Sequence, residues 1–412
     1  MPTITTGDML FSVGLAMDQM TPDLVRHHTT TAMLTDLMAE TAGIFGVRRR
    51  RLVKAAMIHD MGTLVGRERV DSTFDHAAVG AAMVSTCAPL ADLSNLIRHH
   101  HAPHQIDPDA PDAFDIGLLS IADFVADRLR PDVPILLQSR DVLDLLQTSA
   151  DPADRVRCRA IDCCLEASRS EAFWLSLDLR IATRRLRESL HSEPILDRDG
   201  VLSLMHLIGL AIDSKSSFTA SHSAGVAVVA RALGYLCGLP DNACWRLEAA
   251  GYLHDIGKLG VSNDILEKPG RLDDLEVKMI RGHSFMSWAI LSEVPDMSDI
   301  ALWAGLHHER LDGKGYPFQR RGDDIPLEAR ILTIADRFTA LVETRPYRHG
   351  LETTEALSML RTAASDGEID GDVVRELGYY VEDIDRRREL AQAEERWFGR
   401  AAREAGNREG MH

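Results

Sequence analysis

Two histidines stand side by side at the end of an apolar stretch in "GLHHERLDGKGYP", residues 305–317, and a histidine–aspartate pair opens "HDIGKLG" at His254. Imidazole and carboxylate ligands without sulfur suit first-row ions such as iron, manganese or zinc. On a helix of 3.6 residues per turn, adjacent side chains diverge by about 100°. His254 and Asp255 are therefore expected to face different ions, with the two oxygens of Asp255 bridging them, and His307 and His308 to reach different parts of the same centre. Two ions about 3.5–4 Å apart lower the pKa of a shared water and neutralise charge building at phosphorus, which suits phosphoester hydrolysis. The ligand set read from the spacing is His222, His254, Asp255, His283, His307, His308 and Asp336. Asp255 and Lys258 are the candidate catalytic residues, Lys258 one turn on and placed to meet a phosphate oxygen, as are Arg345 and Arg348 in "ETRPYRHG".

An internal repeat raises this set above coincidence. "AAMIHDMGTL" at 55–64 matches "AGYLHDIGKL" at 250–259, and "LLSIADFVADRL" at 118–129 matches "ILTIADRFTALV" at 331–342. Between these anchors His28, His59, Asp60, His76, His100, His101 and Asp123 pair with the seven residues above, at offsets of 194, 195, 195, 207, 207, 207 and 213. His27 competes with His28 for its place, and His99 with His100. The offsets only grow, so the second copy carries two insertions, in the segments holding "EKPGRLDD" and "DGKGYP". Duplication of a metal-binding helical unit explains the order, and the first seven residues form a candidate second metal site.

The elements that must hold these residues are helices. "LVKAAMIHDMGTL", "LEAAGYLHDIGKLGV" and "ALWAGLHHE" carry apolar residues at three and four spacing, while alternating β-branched runs are scarce. The expected fold is all-α, with two tandem helical domains joined by a helical linker: 1–145, the linker 146–195, 196–385, and a charged, solvated tail 386–412. A net charge of −17 argues against DNA or anionic membranes as partners, so a phosphate ligand must be held by local cations. Six cysteines without a CxxC spacing read as reduced, packed thiols. Neither a basic leader nor a membrane-length apolar run is seen, and the expectation is a soluble, cytoplasmic chain.

Residues 213 to about 380 resemble the HD-GYP family of the HD phosphohydrolase superfamily, through "FTASHSAGVAVVARALG", "LHDIGKLGVSNDILEKPGRLDDLEVKMIRGH", "HHERLDGKGYP" and "IPLEARILTIADRFTALVETRPYR". The resemblance implies a phosphodiesterase that opens cyclic di-GMP to linear pGpG, or cleaves it on to GMP, with a dinuclear or trinuclear centre of iron or manganese. It makes the seven residues metal ligands and Lys258, Tyr316, Arg345 and Arg348 substrate contacts, Tyr316 beside a guanine base or ribose-phosphate. Members with a third metal place a glutamate four residues before the first histidine; Phe218 stands there, so two divalent ions are expected. Thr339 replaces a usual aspartate and Val261–Ser262 a usual "IP".

The first half resembles an HD-like domain without GYP. Thr63 occupies the place of Lys258, and nothing corresponds to "DGKGYP" or "RPYR". Retained ligands without substrate contacts imply a regulatory module sensing metal, redox state or oxygen; the competing reading is a duplicate that only packs against its neighbour. For the whole chain, alternatives to cyclic di-GMP hydrolysis are cleavage of a mixed cyclic GMP-AMP, or a non-catalytic dinucleotide or oxygen sensor. Such a sensor would signal through the linker helices to a partner or a second copy.

Overall fold

The structure, a computed structural model, describes residues 3–18, 26–65, 75–215, 221–268, 270–344 and 349–409, with side chains to 406. Phe218, Arg345 and Arg348 lie outside the described residues. The chain divides into two compact units, Met1–Gly200 with Ala402–His412, and Val201–Ala401. Both are all-α, as the periodicity predicts. Among the described residues no strand occurs, β pairing being confined to an isolated bridge between Thr5 and Ile195.

The first unit contains α1 (Thr6–Met17), α2 (His27–Thr41), α3 (Gly46–Ile58), α4 (His76–Ser85), α5 (Ser94–His99), α6 (Ala113–Ala126), α7 (Ile135–Thr148), α8 (Arg155–Ala167), α9 (Glu171–Leu175) and α10 (Leu179–Leu190). In the second are α11 (Arg198–Ser214), in which the division falls, α12 (His222–Leu236), α13 (Asp241–Leu253), α14 (Asn263–Leu266), α15 (Asp274–Ser292), α16 (Ser298–Leu306), α17 (Leu327–Val342), α18 (Thr353–Ser365) and α19 (Gly371–Glu409). One packing pattern occurs twice: α2 lies on α3 and α6, and α4 on α5, just as α12 lies on α13 and α17, and α15 on α16.

Local chemistry starts these helices where the site needs them. Asp75 accepts from the Ala78 amide and opens α4 at His76. Asp273 and Glu276 cap each other's backbone amides at the head of α15, a capping box worth about 1 kcal/mol, two turns before His283. Each unit also places a glycine two residues after its His–Asp pair. A Cβ on Gly257 would lie 2.0 Å from the His283 carbonyl oxygen, and one on Gly62 2.0 Å from that of His76. Only glycine lets the turn after the pair press against the helix bearing the next histidine.

Two expectations are corrected. The segment 146–195 is not a free connector: α8 packs on α6 and α2, and α10 on α1, α2 and α3. The arginine-rich face of α10 is the reason, because Arg185 and Arg49 of α3 converge on the fully buried Asp36 of α2, each at 2.6 Å. Asp36 would be a costly unpaired charge without them. The tail from 386 is likewise not fully solvated. It continues α19 past a kink at Tyr380, and Ile384, Arg388, Gln392 and Glu395 form a buried stripe at three and four spacing. Polar groups on that stripe are paired with His206, Glu343 and Asp385, so a hydropathy pattern does not reveal it.

Candidate metal centres

In the second unit the seven residues come together, His222, His254 and His307 from helix ends and His283 and Asp336 from within α15 and α17. His254 follows the last residue of α13 in helical conformation, and Asp255 then leaves it with φ −99° and ψ 9°, starting a short 3-10 turn over Ile256–Gly260. That break overrides the divergence expected of neighbours on a helix, and His254 Nε2 lies 3.3 Å from Asp255 Oδ2. Oδ1 of the same carboxylate lies 3.2 Å from His283 Nε2 and 3.9 Å from His307 Nε2. Two groups of ligand atoms result, His222–His254–Asp255 and His283–His307–His308, with Asp255 reaching both. Asp336 of α17 joins the first group, 3.1 Å from His222 Nε2 and 4.0 Å from His254 Nε2.

The outward ring nitrogens are already committed. His254 and His283 donate Nδ1–H to the Gly251 and Ile280 carbonyls at 2.8 and 2.6 Å, and His307 does so to Ala304. In this tautomer each Nε2 presents a lone pair to the cluster. His254 Nε2 and Asp255 Oδ1 are buried without a hydrogen-bond partner, although other ligand atoms lie close by. Such orphaned acceptors converging on one point fit cations, and the donor set of nitrogens and oxygens fits iron or manganese.

The electrostatics agree. Burial disfavours charge on His222, but the Asp336 and Glu343 carboxylates on its two nitrogens outweigh this and raise its pKa to about 10. Asp255 is held well below the usual carboxylate range against its burial, by His254 and Lys258. His308 is pushed down to about 3 by burial. Ligation would displace the His222 proton in favour of an ion.

Lys258 and Tyr316 sit at the edge of this cluster. Lys258 Nζ donates to Asp255 Oδ2, and its pKa is raised because that carboxylate outweighs burial. The "DGKGYP" loop folds back on the twin histidines: the Tyr316 amide donates to the His308 carbonyl at 3.3 Å and Phe318 N–H to Glu309 Oε1 at 2.7 Å. The Tyr316 ring centroid is 4.9 Å from that of His308. Arg281, which the sequence reading missed, holds its exposed guanidinium 5.1 Å from the Tyr316 ring centre.

The first unit repeats the arrangement. Its ligand groups are His27–His59–Asp123 and Asp60–His76–His100–His101. Asp60 again spans both, Oδ1 3.2 Å from His76 and 3.7 Å from His100, and Oδ2 3.5 Å from His59. His59 and His100 donate Nδ1–H to the Ala56 and Ile97 carbonyls, and His100 Nε2 is orphaned here, as His254 Nε2 is in the second unit. One residue is corrected. His27, not His28, lies 3.2 Å from both His59 Nε2 and Asp123 Oδ1, whereas His28 turns Nδ1 to Asp18 at 3.0 Å. The reason is helix capping. Asp18 accepts from the amides of His28 and Thr29, and Asp213 accepts from the Ser223 amide, so each carboxylate anchors the residue after the ligand. Asp18 and Asp213 share the 195-residue offset of His27 and His222, a signal the repeat already contained. Thr63, in the place of Lys258, bonds its hydroxyl to the Asp60 carbonyl and offers no cation.

HD domain family models match residues 24–144 and 207–373. A 3′3′-cGAMP-specific phosphodiesterase 1 of Vibrio cholerae is 30% identical over 387 residues, 88% of this chain and 89% of that protein. A 3′3′-cGAMP-specific phosphodiesterase 3 of the same organism is 43% identical over 152 residues, 37% of this chain and 33% of that protein. A cyclic di-GMP phosphodiesterase of Pseudomonas aeruginosa is 32% identical over 54% of this chain and 53% of its own length. The crystal structure of a cyclic GMP-AMP specific phosphodiesterase of V. cholerae matches with a TM-score of 0.61 at 20% identity, over 91% of this chain and 97% of that one, and supports the fold. With identity running through both units, the chain belongs to the HD-GYP family of HD phosphohydrolases and carries an additional HD domain ahead of the GYP-bearing one.

Proposed function

We propose that the second unit is a metal-dependent cyclic dinucleotide phosphodiesterase and that its preferred substrate is the mixed 3′3′-cyclic GMP-AMP. One observation carries the chemistry: Asp255 spans two groups of inward-facing imidazoles, with its own Oδ1 and His254 Nε2 buried and orphaned. His222, His254, Asp255 and Asp336 would hold one ion, and His283, His307 and His308, with Asp255, a second; iron and manganese suit this donor set. Such ions supply an activated water and a Lewis acid at phosphorus.

The protein's own groups do the rest. Lys258 carries its ammonium at the rim of the cluster, where a non-bridging phosphate oxygen gains charge as the bond to the leaving ribose oxygen breaks. Tyr316 and Arg281 offer a ring face and a guanidinium for a base or a second phosphate. The loop that carries Tyr316 is tied to His308, which keeps nucleotide recognition in register with the ions.

The choice of the mixed dinucleotide rests on the cGAMP-specific relative, whose similarity extends through both units. Cyclic di-GMP, the expectation from the motifs, remains the second reading and is favoured by the Pseudomonas relative. Manganese- or iron-loaded protein offered both dinucleotides is expected to give linear products, with the larger kcat/KM for the mixed one. Equal or better use of cyclic di-GMP would reverse the substrate order, and no linear product with either metal would remove the phosphodiesterase reading. The first unit holds a matching ligand set without Lys258 or the loop, and it acts as a metal-bearing module with no turnover of its own.

A further inference from the structure

His222 is braced from outside by a stretch of α19 that lies beyond the span of the family model. Its Nδ1 lies 3.2 Å from Glu343 Oε2, just beyond the end of α17. Gln392 of α19 donates to the other Glu343 oxygen at 3.0 Å. Arg388, one turn earlier on α19, donates to the side-chain oxygen Oε1 of Gln392 and is itself paired with Asp385 at 2.6 Å. Glu343, Arg388 and Gln392 are all buried. The matched span ends at residue 373, before Arg388 and Gln392.

Packing shows that the approach is built in. Gly225 lies one turn after His222 on α12, and a Cβ there would stand 2.9 Å from both Gln392 Nε2 and Thr339 Cγ2, and 3.2 Å from Arg388 Cγ. A glycine and a threonine thus leave the space that the glutamine fills. In the first unit the equivalent ring, His27, turns Nδ1 to Asp127 at 3.3 Å, and that carboxylate is 57% exposed. The same ligand position is therefore braced by a buried two-residue relay in one unit and by a solvated carboxylate in the other.

We propose that Gln392, acting through Glu343, is a positioning residue that holds the His222 imidazole in its ligating orientation, so that ion retention in the second unit depends on α19. This rests on the metal-centre reading above. Second-sphere carboxylates fix the tautomer and tilt of a ligating imidazole, and loss of such a partner typically weakens metal affinity about 10–100-fold. A carboxylate fastened on both oxygens cannot swing away from the ring, whereas an unfastened one can.

The test is equilibrium dialysis of the full-length chain against manganese, in a His59→Gln/Asp60→Asn background so that bound ion reports the second unit. Gln392→Leu keeps volume and helix propensity and removes the amide. It is expected to weaken manganese binding about 10-fold or more with the unfolding temperature little changed. Glu395→Gln, on the same helix but bonded to His206 rather than Glu343, is expected to stay within about twofold of the parent. A Gln392→Leu isotherm that superimposes on the parent, or an equal loss in Glu395→Gln, overturns the proposal. Should Gln392→Leu not fold, Glu343→Gln is read in the same dialysis, with weakened binding expected and an unchanged isotherm overturning the relay. A parent chain that takes up no manganese removes the metal-centre reading and this one with it, whereas unaltered affinity in the variants removes this one alone.

Discussion

The two units build one ligand geometry and differ in what surrounds it. Asp60 and Asp255 each span two groups of ligand atoms, each follows a histidine at a helix end, and each is followed two residues later by a glycine that admits the next helix. What separates them is a lysine against a threonine, a loop that returns to the twin histidines in only one, and an outer carboxylate that is buried in one and solvated in the other. The comparison teaches that the candidate ligand cluster and the groups set around it are separable layers of this fold. Histidines and aspartates converging from several helices build the first, and Lys258 and the Tyr316 loop, found in one unit, make up the second.

The sharpest way to break this comparison is to remove the carboxylate that spans the two groups from each unit in turn. Asp255→Asn is expected to lower kcat/KM by about 10³-fold or more, while Asp60→Asn leaves at least about half of it. Steady-state hydrolysis of the dinucleotide decides, and a comparable loss in Asp60→Asn would show that both units catalyse. The next effect comes from writing the first unit into the second. Lys258→Thr is expected to lower kcat about 10²-fold with bound manganese retained, because an ammonium beside the developing charge is lost and no ligand is. Retained kcat in that variant would take the lysine out of the chemistry.

Stability supplies a smaller contrast. Gly257→Ala and Gly62→Ala should each cost about 1–3 kcal/mol, read from thermal unfolding, since both added methyls meet a backbone carbonyl. Only Gly257→Ala is expected to reduce turnover as well, because only that turn carries a lysine to the site.

The smallest effect concerns a fastening of the second unit. His206 bonds Glu395, and although burial lowers its pKa, that carboxylate raises it above the usual value near 6.5. A folded pKa above the unfolded one gives stability that is complete below about pH 6.5 and is lost as pH rises through the folded value. With the imidazole 35% exposed, solvent screening holds this to about 1 kcal/mol or less. Unfolding midpoints measured at pH 6 and pH 9 should therefore differ less in His206→Gln than in the parent, and an equal difference would assign the pH effect elsewhere.

Much of the candidate site was legible because its residues recur in the same order and at nearly constant offsets in the two copies. Six of the seven pairs, and the insertions that separate the copies, follow from offsets in the chain. The exception is His27 against His28: the 195-residue offset shared by Asp18 and Asp213 favours His27, and the bonds that the His28 and Thr29 amides donate to Asp18 give the physical reason. Glu343 carried no periodic signal, and Gln392 lay in a stretch that hydropathy assigns to solvent, yet Arg388, Gln392 and Glu395 are buried through partners up to 189 residues away. The 146–195 segment was misread for a related reason, since Arg185 looks like a surface charge until Asp36 is found beneath it.

The sequence by itself determined the helical class, the duplication and nearly every residue of the two His–Asp clusters, because local spacing and residue chemistry act over a few turns of one helix. Only the tertiary structure decided which ring of a pair faces the cluster, how one carboxylate reaches two groups, and which distant helix braces His222. Those outcomes depend on the crossing of elements far apart in the chain, where a buried polar group is stable only if another segment satisfies it.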